Sequence, residues 1–184
     1  MARIDQAPGI RPLVTMGRRM DIAARRGFPV GITILLMLLS KARFNLTGQA
    51  ELLATVTFGS TWFWSVYRPA SMPPAGAFIL GILLDLLGAL PLGAGVLATL
   101  TVHGIAARLR RSEGQQGLVR AWLGFTVAGA AACGLIWLAA ALLTFRMLPI
   151  GPVIFQAVLN GALYPLLAIP LLYAHRSVAD PERA

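Results

Sequence analysis

Residues 69–107 read PASMPPAGAFILGILLDLLGALPLGAGVLATLTVHGIAA, and Asp85 is the one charged side chain among them. As a single helix this stretch would be about 58 Å long, nearly twice the roughly 30 Å hydrocarbon core of a bilayer. The run therefore has to turn back on itself. Gly88, Pro91, Gly93 and Gly95 lie near its middle. Proline removes a backbone donor and glycine tolerates turn geometry, so these breakers predict one helix over 74–90 and another over 92–109.

The rest of the chain follows the same pattern. Of 184 residues, 57% are apolar and only 12% charged, with a mean hydropathy of +0.73. A soluble domain carries about 25% charge to cover its core, so this composition predicts an all-α polytopic membrane protein. Further spans are expected over 28–40, 50–67, 121–145 and 152–174, six in all. The first is short, about 20 Å over thirteen residues, so Lys41 and Arg43 must snorkel. The second ends in Trp62, Phe63, Trp64 and Tyr67, an aromatic group suited to the headgroup level. Pro165 and Pro170 should kink the sixth. Residues 1–27 read as a basic cytoplasmic tail, 28–174 as the transmembrane domain and 175–184 as a short cytoplasmic tail. No cleavable signal is expected, because the first 27 residues lack an apolar core of their own. A short amphipathic surface helix near Leu13 to Ala24 would suit anionic membrane lipids.

The net charge of +9 invites a nucleic-acid reading, but the basic residues sit in short clusters between apolar runs, without an aromatic-interleaved face. Such clusters mark topology. With both termini inside, thirteen Lys and Arg fall on the inner side and three (Lys41, Arg43 and Arg146) on the outer, as the positive-inside rule requires for the bacterial inner membrane. The single cysteine, Cys133, excludes an intrachain disulfide. Asn45-Leu-Thr47 fits a glycosylation sequon, which in such a chain reads as chance.

Few residues could carry chemistry. There is no nucleophile motif, no metal-ligand spacing and no phosphate loop, so no enzyme, metal or cofactor is expected. Asp85 is the one carboxylate expected inside the bilayer, where an ionisable group is a functional candidate by default. Phe78, Gly81, Asp85 and Gly88 share a helix face. The structural reading is a hydrogen-bond anchor between the third and fourth spans; the sharper ones are contact with a partner protein and ion or proton movement. Thr99 and the backbone donors opening the fourth span are candidate partners. His103 lies about 9 Å from Asp85 along the membrane normal and is not. As an anchor, Asp85 should tolerate Asn better than Leu. Gly124, Ala128 and Ala132 form a small-residue strip on the fifth span, and Gln156, Asn160 and Tyr164 a polar stripe on the sixth. That stripe suits interhelical hydrogen bonding or a solute-binding wall.

Tyr67-Arg68-Pro69, the span from Phe78 through Gly81 to Asp85, and the turn Pro91-Leu92-Gly93 resemble the rod shape-determining protein MreD family. Its members typically show a Tyr-Arg-Pro-like cytoplasmic turn, a Gly-Leu-Leu-Leu-Asp-Leu-like span and a Pro-Leu-Gly turn. The specific part of the likeness covers residues 67–95; elsewhere it rests on hydropathy and charge, and the long basic N-terminal segment departs from the family. The resemblance implies a non-catalytic scaffold of the bacterial cell-elongation complex, partnered by MreC and through it by MreB and the elongation peptidoglycan synthases, with self-association into a homo-oligomer left open. It also implies a fold similar to the substrate-binding subunits of energy-coupling-factor vitamin transporters, which supplies an alternative function. Those subunits typically carry an Ala-x-x-x-Ala strip on the first span, and residues 31–40 have none. The candidate structural or partner-binding residues are Arg68, Pro69, Phe78, Gly81, Asp85, Gly88, Pro91, Gly93 and Asn160.

Overall fold

A computed structural model describes residues 16–42, 49–113 and 117–179. The expected sequon, Arg43 and residues 1–15 of the basic tail lie outside them. The described chain is all-helical: α1 (Met16–Lys41), α2 (Gln49–Tyr67), a 3-10 turn (Pro69–Ser71), α3 (Pro74–Gly88), α4 (Ala94–Glu113), α5 (Leu118–Thr144) and α6 (Gly151–Ala179). The apolar run that had to fold back does so between α3 and α4. The polar residues before Phe28 and the apolar ones after it belong to one helix, because nothing between Met16 and Lys41 interrupts it; Pro29 lies inside.

Two of the helices are long and apolar enough to cross a membrane, over Val119–Thr144 and Gly151–Ala174. The apolar stretches Gly27–Lys41 and Pro74–Gly88 are shorter, about 22 Å each at 1.5 Å per residue.

The arrangement is set by α2, which touches all five other helices. Every residue from 57 to 66 is buried. Three of the hydroxyls that make this helix less apolar turn to its own backbone: Thr55, Thr57 and Ser65 each bond the carbonyl four residues back, at 2.9, 2.7 and 2.6 Å, whereas those of Ser60 and Thr61 are buried without a hydrogen-bond partner among the described residues. A central position also relocates the aromatic group. Trp62, Phe63 and Trp64 are fully buried rather than ringing the bundle end, because a helix surrounded on all sides has no face to offer an interface. Phe28 packs edge-on against Trp64, and Trp62 leans on Phe125.

Around this axis, α3 with α4, α4 with α5 and α5 with α6 form successive hairpins. The small-residue strip of α5 faces inward. Ala128 and Ala132 are fully buried, and a methyl group on Gly124 would lie 2.7 Å from Leu109 and 2.8 Å from Trp62. The outer surface is apolar: Leu86, Leu97, Val127, Leu142, Val158 and Leu166 are all more than half exposed.

α6 runs on through Pro165 and Pro170. Proline at 165 cannot donate to the carbonyl of Gly161, one turn earlier. Trp122 of α5 supplies the missing donor, its indole Nε1–H reaching Gly161 O at 2.7 Å.

Candidate functional site

The nine candidate residues fall into separate places. Gly81, Asp85, Gly88, Pro91 and Gly93 gather at the α3–α4 turn. Arg68 and Pro69 sit at the opposite end of α3, and Asn160 lies on α6.

At the turn, α3 ends after Gly88 and its C-cap, Ala89, adopts the left-handed conformation (φ 51°), with its N–H on the Asp85 carbonyl. Leu90 N–H reaches the same carbonyl at 3.1 Å. Pro91 starts the reversal, and Gly93 takes φ +94°, a conformation that side chains rarely adopt. A helix beginning at Ala94 leaves its first N–H groups without intrahelical acceptors, and the preceding residue, a glycine, has no side chain to cap them. Asp85 caps them from the preceding helix. Its Oδ2 accepts from Gly93 N–H at 2.8 Å and its Oδ1 from Gly95 N–H at 2.6 Å. The carboxylate is 2% exposed and lies at the positive end of the α4 dipole. The backbone donors are thus its partners. Thr99 turns its hydroxyl to Gly95 O and Val96 O instead.

This clasp requires the two helices to approach closely. A Cβ on Gly81 would lie 2.5 Å from both the Thr99 hydroxyl and Val96 Cα, and one on Gly95 would lie 2.5 Å from Asp85 Oδ1. Gly95 is therefore not a breaker, as its sequence position suggested, but the first-turn residue of α4 against which α3 packs. Phe78 does not join the set. It shares the azimuth of Asp85, but it lies two turns away, about 10 Å along the axis, and it is 47% exposed. Gly88 is half-buried, with Leu53 and Leu90 near it.

Asn at position 85 remains the milder change than Leu, but the clasp means it is not a neutral one. Both oxygens accept N–H donors, whereas an asparagine has one acceptor and would set its own amide hydrogens against the second donor.

Arg68 follows the last turn of α2, its N–H on Trp64 O at 2.8 Å, and its carbonyl accepts from Ser71 N–H. Pro69 opens the 3-10 turn, where a missing donor costs nothing. His103 lies away from Asp85. Its Nδ1 is 2.8 Å from Ser65 Oγ, and because that hydroxyl donates to Thr61 O, Nδ1 carries the hydrogen. Arg110 reaches the Ser65 carbonyl at 3.1 Å, which ties α4 to α2.

The polar stripe of α6 binds three helices together. Asn160 is fully buried. Its Oδ1 accepts from Thr55 Oγ1 at 2.7 Å and Gln156 Nε2 at 2.9 Å, and its Nδ2 donates to Cys133 Sγ at 3.3 Å. Gln156 Nε2 also reaches Glu51 O at 3.0 Å. Tyr164 completes the stripe by stacking on Phe125, ring centres 4.5 Å apart. Nothing local in the sequence of α2 or α5 marks Thr55 or Cys133 as a partner of Asn160, which lies 105 and 27 positions away from them.

Beside Gln156 and Cys133 lies a cavity of about 440 Å³ between α2, α3, α5 and α6. Its walls include Phe58, Leu84, Ile136 and Trp137, and Glu51 is the one charged residue lining it among the described residues. Among the described residues, no group of three His, Cys, Asp or Glu comes together.

No protein-family model matches the chain, and neither a curated protein nor a solved structure matches it.

Proposed function

We propose that the chain is a six-span integral protein of the bacterial inner membrane, with both termini cytoplasmic. It serves as a non-enzymatic scaffold of the cell-elongation complex, of the MreD type, engaging MreC and through it MreB and the peptidoglycan synthases. The observation carrying this reading is the Asp85 clasp. The segment that resembles the family, residues 67–95, forms a hairpin in which the one acid of the apolar run uses both oxygens to close the turn. Both oxygens are engaged by the backbone that opens α4, which suits a residue that sets the shape of the turn.

Membrane location has a second support. Buried hydroxyls line the central helix while leucines, valines and isoleucines cover the outside, the distribution expected where the surroundings are hydrocarbon. The alternative, a vitamin-binding transporter subunit, would place a small polar solute in the cavity. That cavity's lining is mostly apolar, and the Gln156 amide and the Trp137 indole are already bonded to Glu51 O and Leu148 O.

Depletion of the scaffold should turn rods into spheres and leave vitamin uptake unchanged, and the tagged protein should bring MreC from native membranes. Loss of vitamin uptake with normal cell shape would favour the transporter subunit. In a Cys133→Ser background, cysteines placed at Gln49 and Ser112 should label from outside and inside respectively; labelling from one side would refute the six-span topology.

A further inference from the structure

The cavity of about 440 Å³ is mostly apolar, with its one charged lining residue among the described residues, Glu51, in the first turn of α2. Ala50 and Glu51, in the first turn of α2, line one end; Phe58, also in the lining, lies eight residues beyond Ala50 on the same helix, about 12 Å further along its axis. The walls are apolar, with the polar side chains at Glu51, Gln156 and Cys133. Gln156 and Cys133 both contribute to the Asn160 network. The Glu51 carboxylate has no hydrogen-bond or ion-pair partner among the described residues. At about 30 Å³ per water-sized unit, the space holds roughly fifteen such units, within the usual range for a small-molecule site.

We propose that this cavity binds an amphiphile, with one hydrocarbon chain lying between α2, α3, α5 and α6 and an amine-bearing head at the Glu51 end. An apolar interior excludes a polar solute, because each unsatisfied polar group buried there would lose its hydration. A carboxylate without a partner among the described residues, at one end of the cavity, selects a cation and sets the chain's direction. The inference goes beyond the scaffold reading and does not depend on it. A folded protein can bind the amphiphile whether or not it joins the elongation complex, so failure of either leaves the other standing.

Cys133 is the chain's single cysteine and lines this cavity, so its reactivity reports occupancy. Full-length protein in phosphatidylcholine nanodiscs is alkylated with N-ethylmaleimide while dodecylamine is titrated in. Protection should saturate and follow one plus the ratio of probe to Kd, about fivefold at about four times Kd. Dodecanoate, with the same chain and the opposite charge, should protect much less. Glu51→Gln should bring the two probes together, and Ala54→Trp, which fills the cavity, should abolish dependence on either. Replacing part of the phosphatidylcholine with phosphatidylethanolamine separates the sources. Protection by that lipid assigns the ligand to the bilayer; protection by dodecylamine alone assigns it to a free single-chain amine.

If the thiol reacts too slowly to follow, quenching of tryptophan fluorescence by bromododecylamine, read as the difference between the parent and Trp137→Phe, reports the same site. Equal effects of both head groups, an unchanged Glu51→Gln response, or no protection and no Trp137-dependent quenching overturn the proposal.

Discussion

The indole N–H of Trp122 lies 2.7 Å from the carbonyl oxygen of Gly161, the acceptor that Pro165 leaves without its usual helical donor. A proline inside a helix is tolerated when a neighbour supplies the lost bond, and in an apolar setting that neighbour must be another helix. The relationship makes Trp122 and Pro165 a coupled pair although they sit on different helices.

The coupling is measurable. Trp122→Phe should destabilise the protein by about 1 to 2 kcal/mol, the range of an interhelical bond with its acceptor stranded. In a Pro165→Ala background residue 165 regains its N–H, so the same substitution should cost clearly less. A double-mutant cycle on unfolding in mixed micelles reads the difference; additive losses would mean that the two residues do not share Gly161.

At the α3–α4 turn the expected order of stability is wild type, then Asp85→Asn, then Asp85→Leu, with the first step about 1 kcal/mol and the second larger. Gly95→Ala should resemble Asp85→Leu, since its methyl would displace Oδ1. Combining Gly95→Ala with Asp85→Leu should add little, both having removed the same clasp. An ion-coupled role would predict instead that Asn is as damaging as Leu while Gly95→Ala is mild. Helix-pair stability and MreC copurification, at matched membrane levels, distinguish the two.

Ala89 holds φ 51° at the end of α3, a conformation costing a non-glycine residue about 1 to 2 kcal/mol. Ala89→Gly should therefore raise the unfolding free energy, by up to about 1 kcal/mol once the greater freedom of the unfolded glycine is subtracted. Ala89→Val should lower it. The reverse order would indicate that the turn is not formed in this way.

Within the polar network, Asn160 serves three partners and Cys133 only one, at 3.3 Å. Asn160→Leu should cost about 1 to 3 kcal/mol by removing the acceptor that Thr55 and Gln156 share, which leaves each with the Glu51 carbonyl, while Cys133→Ser should be nearly neutral because a hydroxyl accepts at least as well as a thiol. Comparable losses in the two variants, measured by thermal unfolding in detergent, would argue against the network as described.

Much of the architecture was legible because bilayer length and backbone bonding act locally. The span expected over 50–67 is α2, Gln49–Tyr67, since charge and aromatics bracket it. The turn near Pro91 and Gly93 was legible because proline and glycine constrain their own backbone. Asp85 was recognisable as an anchor, and the α4 backbone as one of two candidate partners. By contrast, the aromatics of α2 were placed at an interface and Phe78 on a shared face, because periodicity gives an azimuth but not whether a neighbour exists at that height.

The sequence by itself determined that the chain is helical, where it must reverse, and which buried groups demand partners, since these follow from residue type and spacing along one segment. Only the tertiary structure decided which helix is central, that Trp122 serves Gly161, that Asp85 caps α4 through Gly93 and Gly95, and that Thr55, Gln156, Asn160 and Cys133 meet. Those pairings depend on how six helices fill space together, a sum over many weak contacts between segments far apart in the chain, and no single segment carries that sum.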